Sequence, residues 1–154
     1  MIQRIQSLYL LIVVALMSVT LFAPIAMFTV ASGEVFTLSA FSLASDMQSQ
    51  STIWMGILLS LATALPLVTI FLFKNRVLQV RLCAVEIVLL LGCIAFMAIY
   101  FWLSGANALE DAIVEHRHFG WSAIMPIVAL VFTSLAARAT FKDEILVRSL
   151  DRIR

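Results

Sequence analysis

The sequence predicts an all-α integral membrane protein, a four-helix transmembrane bundle with both termini cytoplasmic. Three observations lead there. The 154-residue chain is 63% hydrophobic and 12% charged, against about 25% Asp, Glu, Lys and Arg in a soluble domain, so it cannot cover a water-facing surface. Its mean hydropathy is +1.08, and runs of about 20 apolar residues, the length that crosses hydrocarbon as a helix, recur four times. Its cations gather on one side of those runs. At this length a single membrane domain is expected.

The runs lie near residues 5–28, 53–73, 82–103 and 121–137, followed by an amphipathic tail over 138–154. None shows the one-sided polarity of a soluble helix or the alternation of a barrel strand. The first exceeds the ~7–15 residues of a secretory h-region and is expected to be retained. The loop after it, ASGEVFTLSAFSLASDMQSQS, is long and rich in Ser and Ala. Its stretch Val35 to Ser42 predicts a short hairpin with Phe36, Leu38 and Ala40 on one side, a lid over the outer end of the bundle. In the tail, Leu146, Leu150 and Ile153 recur at helical spacing beside Val147, and Glu144 precedes Arg148 by four positions, so the tail should extend the fourth helix.

Direction follows from Lys and Arg, which favour cytoplasmic loops. With alternating spans, Arg4, Lys74, Arg76, Arg81, Arg138, Lys142, Arg148, Arg152 and Arg154 fall on one side and Arg117 on the other. Glu34, Asp46, Glu110, Asp111 and Glu115 fall in the outer loops. Trp54, Trp102 and Trp121 sit at outer helix ends, where indole rings prefer the headgroup level.

Helices in lipid approach through small residues. Gly56, Ser60 and Ala64 on the second span and Ala129, Thr133 and Ala137 on the fourth therefore predict that these two helices touch. Pro24, Pro66 and Pro126 each remove a backbone donor, predicting kinks relieved by Thr20, Thr63 and Ser122. Cys83 and Cys93, about 15 Å apart along one helix, cannot bridge and should be buried, inert thiols.

Candidate chemistry is sparse. Glu86, inside KNRVLQVRLCAVEIVLLLGC, lies about 7.5 Å past Arg81 along a helix, near the inner face. An intramembrane ion pair of Glu86 with Arg138, or with Arg4, is the expectation; a proton or cation relay would need polar groups at greater depth. At helical spacing Asp111, Glu115 and His118 share a face that suits a divalent cation, yet a solvated acidic turn gives the same pattern, and no metal site or cofactor is expected. Acidic residues interrupt the basic tail, which excludes nucleic acid.

The segments MIQRIQSLYLL, FKNRVLQVRLC and KDEILVRSLDRIR resemble a family of uncharacterised four-span membrane proteins of Gram-negative bacteria, classed as a domain of unknown function. That resemblance spans the chain and implies a bacterial inner-membrane location and a four-helix fold; it implies no reaction. The expected role is non-enzymatic: an accessory or assembly subunit that meets the lipid bilayer and another membrane or cytoplasmic protein. Arg76, Arg81 and Arg148 are the candidate contacts to that partner or to lipid, and the same charges also set topology. The alternative is a small oligomeric transporter or channel lined by Ser18, Thr20, Ser60, Thr63, Thr69 and Thr133. A membrane enzyme comes third, for want of a nucleophile and base.

Overall fold

A computed structural model describes residues 2–31, 33–45, 49–72, 76–107 and 114–151. Four helices run through them. The first, α1 (Ile2–Phe22), holds no Gly or Pro. It stops short of Pro24, whose ring and missing N–H do not continue a helix. The others are α2 (Ile53–Phe71), α3 (Arg76–Asn107) and α4 (Met125–Asp151), the last entered through a 3-10 turn at Trp121–Ile124. Each carries a segment long and apolar enough to cross a membrane: Ile5–Phe22, Ile53–Phe71, Val77–Trp102 and Trp121–Asp143. α4 continues without a break to Asp151, as the spacing of the tail predicts; residues 152–154 lie outside the described residues. At 32 residues, or about 48 Å, α3 overruns the expected span at both ends.

The all-α expectation is corrected by a five-stranded sheet in the order β4-β3-β2-β1-β5. Its strands are β1 (Ala26–Val30), β2 (Val35–Leu38), β3 (Ser42–Ala44), β4 (Ser49–Ser51) and β5 (Val114–Phe119), every pairing antiparallel. The first apolar run thus contributes a helix only to Phe22 and then a strand. Gly33, at φ 85°, makes the β1–β2 turn in a conformation that only Gly adopts at little cost. The expected hairpin is there as β2–β3, with Phe36, Leu38 and Ala40 all buried.

The sheet caps one end of the bundle. Phe28, Val30, Phe36, Leu38 and Leu43 join Val13, Met17, Met55, Leu59, Leu90, Cys93 and Met97 in one core. Phe101 of α3 stacks on Phe119 of β5 with ring centroids 3.6 Å apart and lies 5.6 Å from Phe28 of β1. Gly120 donates its N–H to Ile25 O, and a Cβ there would stand 2.5 Å from Pro24 O, so only Gly lets the two chains pass. Ser122 Oγ donates to Pro24 O, and Thr52 Oγ1 to the carbonyls of Ser39 and Ala40. The two loops are therefore one structure, bolted to α1, α2 and α4.

Below the sheet the helices pack in a ring. α1 lies against α2 and α4, and α3 against the same two. This places α2 and α4 on a diagonal and corrects the expectation that their small-residue stripes meet. Gly56 instead receives the Phe41 ring from the β2–β3 turn, and Ala64 is exposed. Among the described side chains the buried positions are Gln6, Leu10, Val13, Met17 and Thr20 on α1, and Met55, Gly56, Leu59, Ala62, Pro66 and Thr69 on α2. On α3 they are Gln79, Cys83, Glu86, Leu90, Cys93 and Met97; on α4 they are Pro126, Ala129, Thr133, Ala136 and Thr140. Steps of three and four recur throughout, the seam of an interdigitated bundle.

Of the prolines, Pro24 ends α1. Pro126 occupies the first turn of α4, where no N–H is needed, and only Pro66 sits inside a helix. The hydroxyls expected to relieve them act elsewhere: Thr20 Oγ1 donates to Leu16 O and Thr63 Oγ1 to Leu59 O.

Candidate functional site

The seam positions change character along the bundle. Leu10, Cys83 and Ala136 pack together, with Ile70 against them. One turn from each, toward the end that carries the termini, stand Gln6, Gln79 and Thr140, with Thr69 next to Ile70 on α2, and all four of these polar side chains are buried. Each helix thus closes this end of the bundle with a polar residue. Thr69 and Thr140 give their hydroxyl protons to the carbonyls of Leu65 and Ala136. Gln6 Nε2 has no hydrogen-bond partner among the described residues.

Glu86 is on the other side of the Leu10–Cys83–Ala136 layer, three residues from Cys83 and so about 4.5 Å nearer the sheet. Its side chain is 1% exposed, and neither carboxyl oxygen has a hydrogen-bond partner among the described residues. Arg138 does not answer it. The buried stripe of α4 passes through Ala136 and Thr140, and Arg138 lies two residues from each, turned about 200° away, where it is exposed. The expected Glu86–Arg138 pair is therefore absent, and Glu86 points into the bundle rather than toward the rim. Thr133, level with it on α4, already donates to Ala129 O. Beyond Glu86 the seam is mainly apolar: Met17, Leu59, Leu90, Cys93 and Ala129 are all fully buried, and polar Thr20 and Ser122 return only next to the sheet.

Cys83 and Cys93 are free and buried, as expected. Arg81, on the outward side of α3 between Gln79 and Cys83, is exposed, as are Arg138 and Lys142. Arg4, Arg76 and Arg148 are described in backbone only; Lys74, Arg152 and Arg154 lie outside the described residues. Exposed cations thus collect at the end that carries the polar layer. Trp54, Trp102 and Trp121 are exposed at the sheet end, with Phe22 and Phe119 among them. Arg117 is exposed at the sheet end and Phe71 and Phe141 at the other, so the segregation is one of the tryptophans and of most described cations, a distribution compatible with two membrane interfaces.

The expected helical face of Asp111, Glu115 and His118 is not formed. Residues 114–119 are a strand, where residues three apart point to opposite sides, and Asp111 lies outside the described residues. No cluster of three metal-ligating side chains occurs among the described residues. His116 and His118, opposite Thr29 and Met27 of β1, share the sheet face turned away from the bundle, their rings 6.3 Å apart.

Sequence reasoning singled out Glu86, named Thr69 only as a lining residue of the alternative channel, and passed over Gln6, Gln79 and Thr140. Their signal was present: polar residues at the inner ends of all four apolar runs, in register with the cysteines and with Glu86. In a lipid-soluble helix such residues turn inward.

The whole chain, residues 2–153, matches a family described as a domain of unknown function (DUF4293). No curated protein matches it.

Proposed function

The chain belongs to the DUF4293 family, described as a domain of unknown function, and on that premise we propose that it is a non-enzymatic integral protein of the bacterial inner membrane. In this reading both termini are cytoplasmic, and the protein serves as an accessory or assembly subunit whose cationic rim contacts a partner. The observation that carries it is the distribution of polarity in the interior. A conduit needs polar groups from one end to the other. Here the described polar side chains of the seam do not form a continuous line: Gln6, Thr69, Gln79 and Thr140 fill the termini end and Thr20 and Ser122 stand next to the sheet, whereas Met17, Leu59, Leu90 and Cys93 fill the stretch between and Phe28 and Leu38 of the sheet close the far end. Of the residues a channel would use, Ser18, Ser60, Thr63 and Thr133 donate to carbonyls one turn back in their own helices. The rim, by contrast, offers exposed Arg81, Arg138 and Lys142 on a rigid scaffold, together with the helical extension of α4 that carries Arg148.

The rim is tested by charge reversal at Arg76, Arg81 and Arg148, with recovery of co-purifying proteins from native membranes in mild detergent. Loss of a partner that the unaltered protein retains is the expected result; undiminished recovery removes the role. Ion or solute flux in proteoliposomes holding the purified protein alone supports the transporter instead.

A further inference from the structure

Glu86 is the interior group that the proposed role leaves unused. It is 1% exposed, and both of its oxygens lack a hydrogen-bond partner among the described residues, Arg138 included. An ionised carboxylate in such a place costs several kcal/mol unless a counter-ion or donors compensate. No described residue supplies either, and the compensation comes from a species that binds at the carboxyl group.

The surroundings decide what kind of ligand fits. From α1 the seam presents Gln6, Leu10 and Val13, from α2 Ala62, Pro66 and Thr69, and from α4 Thr133, Ala136 and Thr140. The titratable groups at or next to the seam are Tyr9, which is partly buried and packs toward Phe132, and Cys83 and Cys93 on the helix of Glu86 itself; the Arg138 guanidinium faces away, and Arg4 is described in backbone only. A metal cation requires several oxygens around it, and no hydroxyl of the described residues is within hydrogen-bonding distance of the carboxyl group. A proton requires one oxygen and no cavity.

The two sides of the site differ. Toward the sheet lies the apolar packing of Met17, Leu59, Leu90, Cys93 and Ala129. Toward the termini there is a single layer, Leu10, Cys83 and Ala136, of which two side chains are small, and then the polar layer of Gln6, Thr69, Gln79 and Thr140. The unpartnered Gln6 Nε2, 2% exposed, leaves a donor available in that layer for a water molecule.

We propose that Glu86 is a proton-binding site in the bundle interior, exchanging with the termini end through the Gln6–Thr69–Gln79–Thr140 layer and sealed from the sheet end. It binds and releases a proton on one side only, so it reads the acidity of that compartment and carries nothing across. Releasing the proton leaves an unpaired anion that draws water into the lower seam, between the helices whose ends form the cationic rim.

Infrared spectroscopy of the full chain in phosphatidylcholine bilayers tests this. At neutral pH the protein should show a carboxylic-acid carbonyl band that is lost in Glu86→Gln and retained in Arg138→Gln. The band should shift on transfer to D2O, and several-fold more slowly in the double variant Gln6→Leu, Gln79→Leu. An absent band overturns the proposal, as does one that Glu86→Gln leaves intact. Loss of the band on adding sodium or potassium at constant pH assigns the site to a metal cation and also overturns it, and an unchanged exchange rate in the double variant overturns the route. Dicyclohexylcarbodiimide, which adds to protonated carboxyl groups in apolar surroundings, needs no variant: an adduct mapped to Glu86 of the unaltered chain supports the site, and an unmodified Glu86 sinks it.

Discussion

Replacing Glu86 with Met should stabilise the protein. The side chains are similar in length, and Met adapts to irregular packing, so the change leaves no large cavity between Leu10, Cys83 and Ala136 on one side and Leu90 on the other. What it removes is a buried carboxyl group whose two oxygens have no partner among the described residues. An unsatisfied buried polar group costs about 1–3 kcal/mol, and apolar replacement of buried charged groups gains about 1–4 kcal/mol. Taking about 1–3 kcal/mol, a chain of this size should melt roughly 2–12 °C higher. The assay is thermal unfolding of the purified full chain in one mild detergent at neutral pH, followed by the loss of helical circular dichroism. Had Glu86 been held by Arg138, the same substitution would strand a cation and lower the melting temperature. A fall of a few degrees in Glu86→Met, reversed by a second change at Arg138, refutes the reasoning about the interior.

Two further outcomes follow from the contacts. Gly120→Ala puts a Cβ 2.5 Å from Pro24 O and 2.9 Å from Ile25 O, backbone atoms that cannot swing aside. Overpacking of that kind costs about 1–3 kcal/mol; the loop sheet should become sensitive to added protease while the helices stay resistant. Cys83 and Cys93 are 1% and 0% exposed, so a water-soluble maleimide should leave both unlabelled in intact membranes and label both after denaturation, as judged by intact mass.

How much of this was legible depends on which solvent wrote the pattern. Lipid demands apolar residues all round a helix, so the four spans stood out by length alone, and the interfaces left their marks in Trp54, Trp102, Trp121 and the one-sided cations. The same demand hid the first helix end. The sequence LFAPIAMFTV stays apolar across Pro24, and hydropathy cannot separate the close of α1 from the start of β1. Strand β1 alternates, with Ala26, Phe28 and Val30 buried, Met27 exposed and Thr29 half-buried, but five residues are too few to read against an apolar background. The hairpin at Val35 to Ser42 was visible because its polar residues alternate with Phe36, Leu38 and Ala40. Its neighbours were not. Strand β4 is Ser-Gln-Ser, all exposed, and β5 owes its place to β1, far away in sequence, while its acidic and histidine residues imitate a helical period.

The interior was hidden for a related reason. When both faces of a helix are apolar, the face turned inward is marked by its exceptions, which had to be read together across the four runs. Small residues misled, because Gly and Ala also occur where a loop side chain such as Phe41 must be admitted or where lipid is the neighbour, as at Ala64. Polar residues were the better guide. Gln6, Thr20, Thr69, Gln79, Glu86, Thr133 and Thr140 all face inward, since each would otherwise present unmet hydrogen-bonding groups to hydrocarbon. Reading them as one set places every seam and sets the polar termini end apart from the largely apolar stretch above it. Glu86 then stands at their boundary, which a pairwise search for its counter-ion could not reveal.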